Sequence, residues 1–168
     1  MDKQEFLLLI PAIIYGVAIV DLMKIFQNKK NYWETVLWGI YMFVIIVFAW
    51  TELYQKLNVI TDDIKSFFLV IIQSVVYAQA IRVLTPEEKD DDTESYFLEN
   101  RRTFFLLIAA IIIVNVAVQI LVFDDQRPSW IRPVGLALVL TCAYYDSKRV
   151  RATVWGFFSV VSVLFIFF

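Results

Sequence analysis

Residues 103–123, with the sequence TFFLLIAAIIIVNVAVQILVF, carry no charged side chain over 21 positions. Arg101 and Arg102 precede the segment, and Asp124 and Asp125 follow it. A helix rises about 1.5 Å per residue, so this length covers the ~30 Å hydrocarbon core of a bilayer. Because that core holds no water to satisfy the backbone, a segment that crosses it must be helical. The stretch therefore predicts a transmembrane helix in an integral membrane protein.

The remainder of the chain has the same apolar character. Of its 168 residues, 60% are hydrophobic and 17% aromatic, and the mean hydropathy is +0.68. Soluble domains are roughly half apolar and about a quarter charged. The apolar residues form long runs, which predict one transmembrane domain over residues 1–168, an all-α bundle of six membrane-spanning helices with short loops. We expect the spans at about residues 6–26, 32–54, 66–84, 103–123, 130–145 and 150–168.

Composition also argues against several classes of function. The chain has no histidine, which removes histidine-ligated haem or zinc and the usual general base. The one cysteine, Cys142, lies in an apolar run, and we expect it to be a small buried packing residue. We find neither a glycine-rich phosphate loop nor a hydrolase motif, and no stretch is basic enough to suggest nucleic acid. We therefore expect a protein that is not an enzyme and needs no metal or cofactor.

The longest connector, residues 85–102, is acidic. Residues 87–94 hold six acids and one lysine. A calcium site is the alternative to a solvated acidic loop, but the segment lacks the glycine turn and ligand spacing of an EF-hand. Thr93 resembles an N-cap residue, and nothing interrupts a helix from there to residue 123. We therefore predict a helix of about 30 residues whose first two turns project from the bilayer.

Lysine and arginine counts predict the orientation. Connectors one–two, three–four and five–six, with their flanks, hold ten of these residues, whereas the other connectors and the N-terminus hold five. The side with more lysine and arginine faces the cytoplasm. We therefore expect residues 85–102 to be cytoplasmic and both termini to face outside, in a plasma (inner) membrane.

Ionisable residues near or within the spans are the first candidates for a functional site, because each is costly in lipid unless it is paired. Asp21 and Glu34 both lie at the predicted cytoplasmic ends of their spans. As a pair they would bind a cation or relay protons; as structural groups they would pair with basic residues, for example Asp21 with the nearby Lys24. The basic residues expected near them are Arg82, Arg101 and Arg149.

Amide side chains form a second candidate set. Span three runs inward and span four runs outward, so Gln73 and Asn115 should lie at the same depth. Asn115 and Gln119 are four residues apart and share a helix face. Hydrogen bonds between helices are the usual role of such amides in lipid, and a polar pore lining is the alternative.

Two classes of function remain. In the first, the protein is a non-catalytic subunit of a homo- or hetero-oligomeric assembly in the bilayer. Ala12 and Gly16, four residues apart, would let a neighbouring helix approach closely. In the second, it is a small oligomeric channel or transporter whose path includes the intramembrane carboxylates and amides. We favour the first.

Overall fold

The computed structural model describes residues 3–28, 31–86, 92–123 and 131–167. Over these ranges the chain is helical and has no strand. Six helices have 14 residues or more. A further helix of six residues lies between the second and third of these. The all-α bundle of six helices is therefore confirmed. The helices are α1 (Lys3–Gln27), α2 (Trp33–Gln55), α3 (Leu57–Asp62), α4 (Ile64–Leu84), α5 (Thr93–Leu121), α6 (Ile131–Tyr144) and α7 (Lys148–Phe167).

Helix length and composition fit a bilayer. Among the described residues, α1, α2, α4 and α5 are long and apolar enough to cross a membrane, while α6 is a shorter apolar helix. The 29 residues of α5 extend over about 43 Å, which exceeds the ~30 Å hydrocarbon core. The continuous helix predicted from about residue 93 is confirmed. That its first turns project from the bilayer stays a prediction, and the length of α5 is compatible with it.

The start of α5 corrects one expectation. Asp92, and not Thr93, is the N-cap residue, since Asp92 Oδ1 accepts a hydrogen bond from the Glu94 backbone N–H at 3.2 Å. Thr93 is already helical, and its Oγ1 accepts from the buried backbone N–H of Tyr32 at 2.7 Å. The prediction of Thr93 as N-cap was therefore wrong, because the aspartate before it caps the helix and the hydroxyl joins two segments. Residues 87–91 of the acidic connector lie outside the described residues.

The connector between α2 and α4 contains the short helix α3, which we did not predict. Asp63 then caps α4: its carboxylate accepts from the Ser66 hydroxyl at 2.9 Å and from the backbone N–H groups of Ser66 and Lys65. The Ser66 hydroxyl, followed by these two backbone donors, holds the pKa of the exposed Asp63 carboxyl below its usual value. The capping bonds fix where α4 begins.

The core is aromatic and centred on Trp38 of α2, which is 1% exposed. The rings of Phe104 and Phe105 from α5 meet it edge-on, with centroids 5.7 and 5.2 Å away. Phe158 of α7 meets it at 6.4 Å. Edge-to-face contact of this kind adds ~0.5–1.5 kcal/mol per pair beyond burial, and it joins α2, α5 and α7 into one unit.

Close approach between α6 and α7 depends on one glycine. A Cβ at Gly135 would lie 3.3 Å from Phe158 Cζ, tighter than most side-chain contacts. Cys142, two turns further along α6, is fully buried, which confirms its expected role as a packing residue. Small side chains on α6 thus admit the large rings of its neighbours.

Candidate functional site

The residue before α2, the first turns of α5 and the residues around the start of α7 meet at one end of the bundle. Tyr32, just before α2, donates its backbone N–H to Thr93 at the start of α5. Lys148 at the start of α7 pairs with Glu94 of α5 at 2.8 Å, and this carboxylate raises the pKa of the exposed lysine. Arg101 of α5 pairs with Asp146 in the α6–α7 connector. These contacts bring side chains from distant parts of the sequence to a single place.

At this end, Glu34 and Arg151 form a buried ion pair between α2 and α7. Arg151 Nε donates to Glu34 Oε2 at 2.5 Å, and Nη2 donates to Oε1 at 3.1 Å. The Tyr32 hydroxyl donates to the same Oε1 at 2.6 Å. The side chains of Glu34 and Arg151 are only 2% and 1% exposed. Every oxygen of this carboxylate therefore has a donor in a place that water does not reach.

Asp146 joins a second arginine to the pair. Its Oδ1 accepts from Arg151 Nη1 at 2.7 Å and also contacts Arg101 Nη1. We call Tyr32, Glu34, Arg101, Asp146 and Arg151 the ion-pair cluster. It holds two carboxylates and two guanidinium groups, so its formal charges balance. Balance matters here, because an unpaired buried charge costs several kcal/mol.

The expected carboxylate pair of Asp21 and Glu34 is divided between two ion pairs. Asp21 bonds to Lys24 of its own helix at 2.5 Å, and the two side chains are 24% and 47% exposed. Glu34 is buried and pairs with Arg151 of another helix. Of the three basic residues expected nearby, Arg101 belongs to the ion-pair cluster, whereas Arg82 and Arg149 are exposed.

Arg151 is the site residue that sequence reasoning missed. In the sequence it is counted only among the ten lysine and arginine residues of the predicted cytoplasmic side. A signal was present in the sequence. Val154 and Phe158 follow Arg151 by three and seven residues, which places all three on one helix face. All three are buried. An arginine in register with an apolar face is a candidate for a buried ion pair.

The amide side chains meet in the middle of the bundle. Gln73 Nε2 of α4 donates to Asn115 Oδ1 of α5 at 2.7 Å, so these residues do lie at the same depth. Asn115 Nδ2 in turn donates to the hydroxyl of Tyr77, one turn beyond Gln73, at 3.0 Å. We call Gln73, Tyr77 and Asn115 the amide cluster. Sequence reasoning omitted Tyr77, although its spacing of four residues from Gln73 places it on the same face.

Gln119 bonds to a different partner from the other two amides. Its Nε2 donates to Glu52 Oε1 of α2 at 2.7 Å. The same Glu52 oxygen accepts from Lys56 Nζ at 3.3 Å, and that ammonium lies 3.9 Å from the centre of the Phe123 ring. This end of α5 is thus tied to the end of α2 by polar contacts.

The two clusters and the Glu52–Gln119 contact share one chemical feature. Most of their donors and acceptors are directed at each other, and most of these contacts join different helices. Among the described residues, no group of three or more histidine, cysteine, aspartate or glutamate side chains is placed to hold a metal ion. Comparison of the chain with protein-family models, with curated proteins and with solved structures finds no match.

Proposed function

We propose that this protein is a non-catalytic integral membrane subunit that assembles with itself or with another membrane protein. The observation that carries the proposal is the mutual pairing of polar side chains between helices. Glu34 is bonded to Arg151, Gln73 to Asn115, and Glu52 to Gln119, each pair linking two different helices. Polar groups that bond to each other in this way hold a bundle together. A substrate site, in contrast, needs polar groups that are free to bond to the substrate.

The outer surface of α1 supports assembly. Ile13, Val17 and Val20 are large apolar residues that are 57–64% exposed on this helix. Gly16 lies among them, and a Cβ built there would meet nothing within 4 Å. Contact with lipid satisfies the apolar residues, and a glycine at the surface permits another helix to approach. The partners that fit this face are the bilayer and a helix of a second copy or another membrane protein.

The assembly proposal is tested by the mass of the protein in detergent and in lipid nanodiscs. We expect the wild-type chain to form a defined oligomer, and Gly16→Leu to weaken it because the added side chain blocks close helix contact. Gly156→Leu is the matched control, since the surroundings of Gly156 on α7 are equally open. A wild-type protein that is monomeric at every concentration, alone and in pull-downs from its native membrane, would contradict the proposal.

The proposed location is the plasma membrane, with both termini outside and the ion-pair cluster on the cytoplasmic side. Support comes from the lysine and arginine counts, because ten of fifteen such residues lie at the connectors of that side and their flanks. The test uses a Cys142→Ser background with a single cysteine at Ser95 or Lys65, two exposed residues at opposite ends. An impermeant thiol reagent added to intact cells should label position 65 and spare position 95. The reverse pattern would invert the topology.

A channel or transporter is the second candidate, and the polar residues of α5 favour it. Asn115 and Gln119 lie one turn apart, and their partners extend a row of polar atoms from Glu52 to Tyr77. Ion flux into vesicles that contain the purified protein separates the candidates. Flux that Asn115→Leu abolishes in a correctly folded protein would favour the transporter. Absence of flux in the wild type and in Asn115→Leu would favour the non-catalytic subunit.

A further inference from the structure

Arg101 has hydrogen-bonding capacity that its surroundings leave unused. Its side chain is only 14% exposed, and its Nη1 forms an ion pair with Asp146. The buried Nε has no hydrogen-bond partner within the described parts of the chain. A guanidinium carries five N–H donors, and a buried donor without an acceptor costs ~1–3 kcal/mol. The orphaned Nε therefore marks a place where an acceptor is missing.

The nearby carboxylates are already engaged. Both oxygens of Glu34 accept from Arg151, and one of them also accepts from Tyr32. Asp146 Oδ1 accepts from Arg151 at 2.7 Å in addition to its contact with Arg101. Because the cluster has as many guanidinium groups as carboxylates, the charge of Asp146 is balanced and does not repel an incoming anion strongly.

From its position in α5, we expect Arg101 to lie near the surface of the lipid. It lies eight residues into α5, about 12 Å from the start of a helix that is longer than the hydrocarbon core. The next residue, Arg102, is exposed, and its guanidinium lies 5.0 Å from the centre of the Tyr144 ring. Tyr144 is 65% exposed at the end of α6, as is typical of an aromatic residue at headgroup level.

We propose that Arg101, assisted by Arg102, binds a phosphate group at this end of the bundle. The planar guanidinium fork matches two oxygens of a phosphate, and charge-assisted bonds of this kind are the strong ones. The phosphate is supplied either by the headgroup of an anionic phospholipid or by free phosphate in the aqueous phase. This site is independent of the assembly proposed above, because it uses neither the α1 surface nor a second copy.

The test is native mass spectrometry of the full chain in detergent, with three separate probes. These are dioleoyl phosphatidylglycerol, dioleoyl phosphatidylcholine and inorganic phosphate at constant ionic strength. We expect Arg101→Gln to weaken phosphatidylglycerol binding at least about tenfold. Arg82→Gln removes an exposed charge from the same end, and Arg132→Gln removes a partly exposed charge from the opposite end. Both controls should bind as the wild type does.

Arg101→Lys covers the case in which Arg101→Gln fails to fold, because lysine keeps the charge opposite Asp146 and loses the Nε donor. It should also weaken phosphatidylglycerol binding. Binding of phosphatidylglycerol but not of inorganic phosphate identifies the lipid as the source, and binding of both with the same dependence on Arg101 identifies free phosphate. Equal binding of phosphatidylglycerol and phosphatidylcholine without phosphate binding would overturn the proposal. Wild-type binding by folded Arg101→Lys would overturn it too.

Discussion

Glu34 at the start of α2 and Arg151 in the first turn of α7 form a two-bond ion pair that joins positions 117 residues apart. Their side chains are 2% and 1% exposed. A second carboxylate of α2, Glu52, lies about 27 Å further along the helix and accepts a hydrogen bond from Gln119 of α5. α2 is thus tied to α7 near one end of the bundle and to α5 near the other.

Loss of the amide cluster should lower stability. Gln73→Ala removes the donor to Asn115 Oδ1, and a hydrogen bond of this kind between membrane helices contributes ~0.6–2 kcal/mol. The measurement is thermal unfolding in detergent. Gln79→Ala is the control, because Gln79 is an exposed amide on the same helix. Equal effects of the two substitutions would show that the cluster contributes nothing to stability.

The hydrogen bond from the Tyr32 backbone to the Thr93 hydroxyl should contribute to the stability of the folded protein. Thr93→Val keeps the shape and removes the acceptor of the buried Tyr32 N–H, at an expected cost of ~1–3 kcal/mol. Thr153→Val is the control, since the Thr153 hydroxyl is exposed and bonds to its own helix. Unfolding by a denaturing detergent compares the two. A loss no larger in Thr93→Val than in the control would refute this role.

The first turns of α5 should tolerate proline only at their beginning. Leu98→Pro removes a helical hydrogen bond and places a ring against the preceding turn, which costs ~3 kcal/mol. Ser95→Pro should cost much less, because Ser95 lies in the first turn, where the backbone N–H has no partner within the helix. Both residues are exposed. Similar thermal stabilities for the two variants would mean that this segment does not act as a helix.

Asp63 should make the stability of α4 depend on pH in the acid range. Its pKa in the folded protein lies below the usual value of 3.8, because Ser66 and two backbone N–H groups donate to the carboxylate. Its contribution is therefore present above that value and is lost as the pH falls through the folded pKa. Asp63→Asn keeps a capping acceptor that does not titrate. Its thermal stability should fall less than that of the wild type between neutral pH and about pH 3; equal losses would contradict this role.

Sequence reasoning located the helices because uninterrupted apolar runs of this length have one physical solution in lipid. It placed Gln73 beside Asn115 because depth can be counted along helices that cross the same layer. It did not predict α3, since six residues are too few to show a periodic pattern. It also did not select Arg151 from the basic residues of the last connector, because the partner of a charge depends on how α7 is rotated against α2.

The central claim is that buried polar pairs hold this bundle together, and a double-mutant cycle on Glu34 and Arg151 tests it most directly. Arg151→Met should lower the unfolding free energy in mixed micelles by ~3–5 kcal/mol, because it leaves the buried Glu34 carboxylate without a cation. Glu34→Gln should lower it by less, because Arg151 keeps its bond to Asp146. Asp146 and Arg101 remain paired in the double variant, which should be more stable than additive losses predict by about 1–3 kcal/mol. If the losses of the two single variants sum to the loss of the double variant within about 0.3 kcal/mol, the account is contradicted.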